Sequence, residues 1–286
     1  ELIRRLVQLG LLGLFVGLLC WPFNLVDRWG DQLLGLLPAF SGSSWRPLTV
    51  LLACSPVVIF PLLMLLQSGV FSRGKGSGIP QTMTSLEDPE QAGVLLGLVP
   101  SLQRLLLWTL ASLSLMPLGR EGPVVQIGAS AAYWLRRRFP RWLADLSHSD
   151  LMAVAGGAGL AGGFNTPLMG VVFVAEEFLG TFSMRLIWPA LVISALAAAV
   201  SSAVGEPEFA LGMVGVGPAE LIQLGWALPI GVLAGALGAV FARTLLQVTR
   251  RFRSLLQRQP LRLGLLLGVC LSVFLLLSGG ASGCDG

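Results

Sequence analysis

The stretch that decides the fold is GGFNTPLMGVVFVAEE, which runs from Gly162 to Glu177 inside an otherwise apolar region. Glycines and a proline interrupt the apolar pattern, and a new apolar run then ends on two carboxylates. Pro167 suits the first position of a helix, where its missing N–H has no partner to lose, and Thr166 is a candidate N-cap. The stretch therefore predicts a break between two helical segments.

Composition places this break in a membrane protein. Hydrophobic residues make up 54% of the 286 residues and charged residues only 12%, whereas a soluble domain carries about 25% charged residues. Mean hydropathy is +0.78, and strand-like alternation is absent. We therefore expect an all-α polytopic protein of a cell membrane or bacterial inner membrane. The net charge of +4 comes from short arginine clusters, a pattern typical of membrane loops and not of nucleic-acid binding.

Several apolar stretches are long enough to cross a bilayer, since a span needs roughly 20 apolar residues. They are residues 6–23, 47–71, 92–118, 151–175, 186–205, 221–242 and 263–277. The apolar stretch 123–135 is shorter and is predicted to form a re-entrant or half-depth helix. Arginine clusters at 136–138 with Arg141, and at 250–262, are predicted to lie on the cytoplasmic side.

No metal or cofactor site is expected. Cys20, Cys54, Cys270 and Cys284 have no CxxC spacing, and His148 is the only histidine. Cysteines of this kind are typical packing residues, and a single histidine cannot form a metal site. We accordingly expect neither a metal nor a cofactor, and no enzymatic activity.

Two further breaks share the pattern of glycines followed by proline. They are GSGIP at residues 76–80 and GREGP at residues 119–123. Non-helical backbone inside a membrane protein is tolerated only where it is buried or lines a water-filled cavity. New helix N-termini at such breaks offer unpaired N–H groups and partial positive charge, and glycines allow an ion to approach. The three breaks indicate a dehydrated anion site, with plain helix breaks in loops as the alternative.

Glu121 lies where a free anion would bind at a helix N-terminus. A protonated carboxyl loses that attraction, so one side chain can both gate the site and carry a proton. The alternative is a glutamate that complements the helix dipole or pairs with Arg120. Glu176 and Glu177 end a long uncharged stretch, and acidic residues there are candidates for proton relay. Their alternative is an interfacial pair facing water.

The spacing along the second segment makes a geometric prediction. Pro167, Gly170, Val174 and Glu177 lie three or four residues apart. In a regular α-helix residues at these intervals share one face. We therefore expect Glu177 on the same face as Gly170 and Val174.

Taken together, GSGIP, GREGP and GGFNTPLMGVVFVAEE resemble the motifs of the CLC family of chloride channels and chloride/proton antiporters. They occur in the family's order and at similar separations. The resemblance implies a fold of broken, tilted helices arranged as two inverted repeats. It also implies a homodimer in the lipid bilayer with one pore per subunit, and chloride ions and protons as the transported species.

The resemblance assigns roles to residues of the first two breaks. Ser77 matches the serine whose hydroxyl binds the central chloride. Backbone groups of Gly76 and Ser77, and of Arg120, Glu121 and Gly122, match amides near the inner and outer anion sites. Serine at position 77 favours chloride over nitrate, and the intact GSGIP and GREGP argue against the divergent fluoride exporters.

The resemblance also assigns the proton pathway. Glu121 matches the gating glutamate, and Glu177 matches the inner proton glutamate of the antiporters. Channels of the family tend to lack that second carboxylate, so the sequence favours chloride/proton antiport. A passive voltage-gated-type chloride channel on the same scaffold stays open as an alternative.

The chain also departs from the family pattern. Gln81 follows GSGIP where many relatives have glutamate, which removes one charge and is expected to leave the anion site unchanged. A second anion motif resembling GIFAP is absent, and the only tyrosine, Tyr133, lies elsewhere. We expect residues 1–205 to form the first repeat and 206–286 the start of a truncated second repeat. On this view the fragment alone is inactive, and an inactive truncated membrane protein is a further alternative.

Overall fold

The computed structural model describes residues 2–38, 44–204 and 221–279, and over these ranges the regular structure is helical without strands. The glycine- and proline-rich motifs coincide with breaks between helices, as expected. The α-helices are α1 Leu2–Gly35, α2 Pro47–Cys54, α3 Pro56–Ser68, α4 Ile79–Glu87, α5 Ala92–Leu95, α6 Leu98–Ser112, α7 Glu121–Arg138, α8 His148–Phe164, α9 Pro167–Phe173, α10 Met184–Ser201, α11 Leu221–Arg258 and α12 Pro260–Ser278.

Five helical stretches within the described ranges are long and apolar enough to cross a membrane. They are Leu2–Gly35, Pro47–Ser68, Met184–Ser201, Gly225–Arg258 and Pro260–Ser278. The predicted span 92–118 is instead broken, because Pro89–Leu95 and Leu98–Ser112 meet at an angle of 49°. The predicted span 151–175 is likewise two helices, α8 and α9, separated at the predicted break.

Helices α7 and α8 form the centre of the core and run antiparallel at close range. Every residue of α8 from Leu151 to Gly163 is buried. A Cβ on Gly159 would overlap the Val124 carbonyl of α7, and one on Gly128 would overlap the Ala155 carbonyl of α8. This approach places the N-terminus of α7 beside the C-terminus of α8, so that the second and third sequence motifs become neighbours.

Small residues mediate two other helix contacts. Gly13 and Gly17 of α1 pack against the backbone and side chains of α10, and Gly264 and Gly268 of α12 pack against α3. Helix packing at pairs of glycines spaced by four is typical of membrane proteins. Helices α1 and α10 also pack against α8, so the first of these contacts lies beside the α7–α8 pair.

Helix α11 is packed differently from the rest. The apolar window of its segment Gly225–Arg258 is not buried against any described part of the chain. No atom of the described residues outside its own backbone lies within 4 Å of a Cβ built on Gly231 or Gly235. These glycines resemble a helix-packing pair in sequence but have no packing partner here.

Candidate anion site

The first break, GSGIP, is a turn that depends on glycine. Gly76 has φ of +92° and Gly78 has φ of +120°, conformations that residues with a Cβ rarely adopt. Gly78 is the N-cap of α4, so Pro80 occupies the second helical position. In GREGP, α7 begins at Glu121 and Pro123 is third.

Only one of the three prolines therefore lies at the first helical position. Pro167 does so in α9, as expected, whereas Pro80 is second in α4 and Pro123 is third in α7. Pro80 and Pro123 still lie in the first turn of their helices. N–H groups there have no intrahelical partners, so a proline, which lacks an N–H, costs no hydrogen bond. All three prolines begin a helix without removing an internal hydrogen bond.

The first two breaks are in direct contact. A Cβ on Gly78 would lie 2.5 Å from the carbonyl carbon of Gly122, and one on Gly122 would overlap the carbonyl and hydroxyl oxygens of Ser77. The structure therefore brings Ser77 and Gly78 against the first turn of α7, and Gly76 precedes them in the same turn. Ser77 and Glu121 are both exposed on the described chain, so this shared backbone surface is accessible.

Gln81 does more than remove a charge, because its side chain makes two hydrogen bonds within the GSGIP turn. Its Oε1 accepts a hydrogen bond from the Gly78 N–H at 2.9 Å, and its Nε2 donates to the Lys75 carbonyl at 3.2 Å. The side chain thus closes the GSGIP turn from both sides. A carboxylate at this position could accept from Gly78 but could not donate to Lys75.

Arg104 is the residue of this site that sequence reasoning missed. It lies on α6 with 3% of its surface exposed. Its Nη2 donates to the Lys75 carbonyl at 3.0 Å, and its Nη1 donates to the Gly76 carbonyl. Because N–H and C=O point in opposite directions across a trans peptide, the N–H groups of Gly76 and Ser77 point away from the guanidinium.

A signal for Arg104 was present in the sequence. It is the one charged residue in the predicted span 92–118. Charged residues inside membrane segments are uncommon and generally functional or paired. The missing information was its partner, because both carbonyls that it holds belong to a distant turn.

Glu121 and Arg120 point in different directions. Arg120 forms an ion pair with Asp27 of α1 at 2.7 Å, donates to Asn24 Oδ1 at 3.3 Å, and stacks over the Phe164 ring at 4.7 Å from its centroid. The alternative that Glu121 pairs with Arg120 is therefore wrong. The Glu121 carboxylate instead folds back over Gly119, where a Cβ would overlap it.

Glu176 and Glu177 lie in a π-helical turn, Val174–Phe178, that follows α9. Its hydrogen bond joins the Leu179 N–H to the Val174 carbonyl at 3.1 Å. Gly170 and Val174 are buried against α8, whereas both glutamates are exposed. The predicted common face is wrong, because the π turn adds a residue between Val174 and the next turn. Such turns are frequent at functional sites.

A sequence model of the voltage gated chloride channel family matches residues 58–283. The chain belongs to this family, known as CLC. The resemblance drawn from GSGIP, GREGP and the third motif is thereby confirmed. An integral, multi-pass membrane protein follows from this membership together with the membrane-length helices.

Three solved structures have the same fold as this CLC chain. The slow cyanobacterial Cl⁻/H⁺ antiporter matches 95% of the chain with a TM-score of 0.72 and 26% identity. A CLC-type fluoride/proton antiporter matches 96% with a TM-score of 0.70 and 27% identity. A eukaryotic CLC transporter, at 24% identity and a TM-score of 0.75, matches 96%. The predicted CLC-like fold of broken helices is confirmed.

The chain spans part of the length of these CLC relatives. It covers 63% of the cyanobacterial antiporter, 66% of the fluoride/proton antiporter and 49% of the eukaryotic transporter. The candidate anion site described above therefore consists of the residues that this part of the fold contributes.

Proposed function

We propose that the protein containing this chain exchanges chloride for protons across a membrane. The observation that carries the proposal is the contact between Gly78 and Gly122, which joins the GSGIP turn to the first turn of α7. Two breaks that each expose helix N-terminal N–H groups thereby form one surface. Converging N-termini favour an anion through unpaired donors and the helix dipole.

In this proposal, chloride binds through one hydroxyl and several amides. The Ser77 hydroxyl donates to the central ion, with N–H groups of Gly76 and Ser77 on the inner side. The amides of Arg120, Glu121 and Gly122 serve the outer side. Arg104 supports the arrangement, because it holds the carbonyls of Lys75 and Gly76 away from the ion.

Glu121 is proposed to gate the outer site and to carry the proton. It is the first residue of α7, where an ionised carboxylate benefits from the same donors as chloride does. Chloride and carboxylate therefore compete, and protonation releases the side chain. The position of the carboxylate over Gly119 is compatible with a swing, because no ion pair holds it among the described residues.

Glu177 is proposed to pass protons between Glu121 and the inner solution. Its exposed position in the π-helical turn supports a role in contact with water. The likeness to two proton antiporters, at 26% and 27% identity, favours exchange over passive conduction. One of these relatives transports fluoride, so the preference for chloride rests on Ser77 and the intact motifs.

We also propose the organisation into repeats and a homodimer. Residues 1–205 would form the first inverted repeat, and 206–286 would begin the second. Residues 205–220 at this boundary lie outside the described part of the chain. Leu168 and Met169 of α9 and Trp188 of α10 are strongly exposed, and this apolar surface supports a subunit contact.

Paired flux measurements on the full-length protein in liposomes test the proposal. Under a chloride gradient, outward chloride flow should drive protons inward against their gradient. Glu177→Gln should keep chloride flux and lose proton movement, and Glu121→Gln should also lose proton coupling. Glu176→Gln is the matched control, because it removes a neighbouring exposed carboxylate and should leave both fluxes unchanged.

Other results would overturn parts of the proposal. Chloride flux at constant pH would identify a channel and remove the proton role of Glu177. Transport of fluoride with no transport of chloride would contradict the assignment of substrate. Equal loss of coupling in Glu176→Gln and Glu177→Gln would show that neither position is specific.

A further inference from the structure

One end of the helix bundle collects the basic residues of four helices. The N-terminus of α1, the C-terminus of α7 and the N-termini of α8 and α10 meet there. Arg5 pairs with Asp145 at 2.8 Å, and Arg185 donates to the Asp145 carbonyl at 2.5 Å. The Leu143 N–H donates to Gln8 Oε1 at 3.4 Å. These bonds hold the loop between α7 and α8 against α1.

A groove of about 560 Å³ lies between this loop and α1. It is lined by Arg4 and Gln8 of α1, by Arg138 at the end of α7, and by residues 139–142 of the loop. The groove is outside the anion site, which lies at the opposite end of α7. Neither the antiport mechanism nor the helix packing described above uses it.

The charge of the groove is uncompensated. Arg4, Arg138 and Arg141 contribute three guanidinium groups, and no acidic residue lines the groove. Within the described ranges, no carboxylate lies within 4 Å of any of the three, whereas neighbouring Arg5 is paired. Three unpaired cations around one concave surface attract an anion with several acceptor oxygens.

The aromatic residues of the groove supply the second observation. The Trp142 indole nitrogen is covered by the chain itself, so Trp142 contributes to the wall of the groove and does not donate to a ligand in it. Arg138 stacks beside Phe139, with its guanidinium carbon 5.3 Å from the ring centroid, which orients the guanidinium. Aromatic packing thus fixes one of the three guanidinium groups at the edge of the groove.

We propose that this groove binds the phosphate of an anionic phospholipid headgroup. It lies at the ends of membrane helices, within reach of the lipid headgroups of one leaflet. Tryptophan is enriched at the membrane–water interface, and Trp142 lines this groove. A lipid phosphate would accept hydrogen bonds from Arg4, Arg138 and Arg141.

Native mass spectrometry of the detergent-solubilised full-length protein tests the site. The probes are dioleoylphosphatidylglycerol and dioleoylphosphatidylcholine, which have the same acyl chains and differ in net headgroup charge. We expect the wild type to retain phosphatidylglycerol in preference to phosphatidylcholine. Combined Arg4→Gln, Arg138→Gln and Arg141→Gln should weaken phosphatidylglycerol binding about 100-fold. Each basic residue near anionic lipid contributes a similar binding free energy, so the losses in affinity from the three substitutions multiply.

The matched control removes the same charge elsewhere. Arg250→Gln, Arg253→Gln and Arg258→Gln on exposed α11 should leave phosphatidylglycerol binding unchanged. Equal loss in both triple variants would show non-specific attraction and overturn the site, as would retention of the lipid by the groove variant. Displacement of the lipid by inorganic phosphate at constant ionic strength would assign the groove to a free ion and overturn the lipid proposal. Unchanged chloride flux in the groove variant would show that it is folded.

Discussion

Gly78 and Gly122 are in backbone contact, although they belong to different motifs and different helices. A Cβ on Gly78 would lie 2.5 Å from the Gly122 carbonyl carbon. Both glycines are needed for the contact itself, and Gly78 is needed also for its φ of +120°. The two breaks thus act as one structural unit.

Substituting Gly122 should disrupt the anion site. In Gly122→Ala the new methyl group would overlap the Ser77 carbonyl and hydroxyl, and backbone cannot move aside as a flexible side chain can. We expect a loss of stability of about 1–3 kcal/mol from overpacking, and weaker chloride binding by isothermal titration calorimetry. Gly231→Ala, in open space on α11, is the control and should bind chloride normally. Unchanged chloride affinity in Gly122→Ala would refute the proposed site.

Arg104 should contribute to chloride affinity through both charge and geometry. Arg104→Gln removes the charge and one of the two carbonyl contacts, and Arg104→Lys keeps the charge but loses the planar fork. Loss of hydrogen bonds to a charged group should cost about 1.5–3 kcal/mol of stability. Chloride affinity should fall in the order wild type, lysine, glutamine. Arg73→Gln, at an exposed residue near the same turn, should have little effect.

A purely structural role for Arg104 would give a different result. Both variants would then unfold at lower temperature, yet the folded fraction would bind chloride with wild-type affinity. Measuring the chloride dependence of thermal unfolding alongside calorimetry separates these cases.

The ion pair between Arg120 and Asp27 should be worth far more than the one between Arg5 and Asp145. Asp27→Asn leaves the guanidinium of Arg120, with 9% side-chain exposure, without its counter-charge. Breaking a buried pair costs about 3–5 kcal/mol. Asp145→Asn breaks a pair with side chains 40% and 44% exposed, which should cost at most about 1 kcal/mol. Thermal unfolding measures both variants, and equal losses of stability in Asp27→Asn and Asp145→Asn would contradict the prediction.

Acid should weaken the start of α8 through His148. Burial lowers the pKa of His148 below its ordinary value of 6.5, and the nearby Arg136 guanidinium lowers it further. The side chain also meets the Tyr133 ring edge-on at 6.3 Å. His148 precedes the apolar stretch that begins at Leu151, so it titrates outside the membrane-spanning segments.

The sign of the effect follows from the depressed pKa. The unfolded chain binds the proton more readily, so stability is lost as pH falls through 6.5 toward the folded-state pKa. His148→Gln should therefore lose less stability than wild type between pH 8 and pH 5. Equal losses of thermal stability in wild type and His148→Gln over this pH range would show that His148 does not contribute to the acid sensitivity.

The sequence predicted the breaks well because glycine and proline act locally. GSGIP, GREGP and the stretch from Gly162 to Pro167 each interrupt a helix at the expected place, and composition was enough to indicate membrane-length helices. What could not be predicted was which residues of the breaks would be in contact. The approach of Gly78 to Gly122 depends on how α4 and α7 pack, and no periodicity within either motif reports it.

Arg104 and the direction of Glu177 could not be predicted either, because both depend on tertiary packing. Arg104 was overlooked because its partners, the carbonyls of Lys75 and Gly76, lie far away in the sequence. The face assigned to Glu177 was wrong because α-helical spacing was assumed beyond Phe173. A π turn depends on tertiary packing around Val174 and leaves no distinct pattern in the residues.

The direction of Glu177, which lies in the π-helical turn, depends on the number of residues that separate it from Pro167. An α-helix advances about 100° per residue, so deleting one residue between Pro167 and Glu177 would rotate the carboxylate by more than a quarter turn. Exchanging one apolar residue for another of similar size would not rotate it. The number of residues between these two positions is therefore the property that aims the carboxylate.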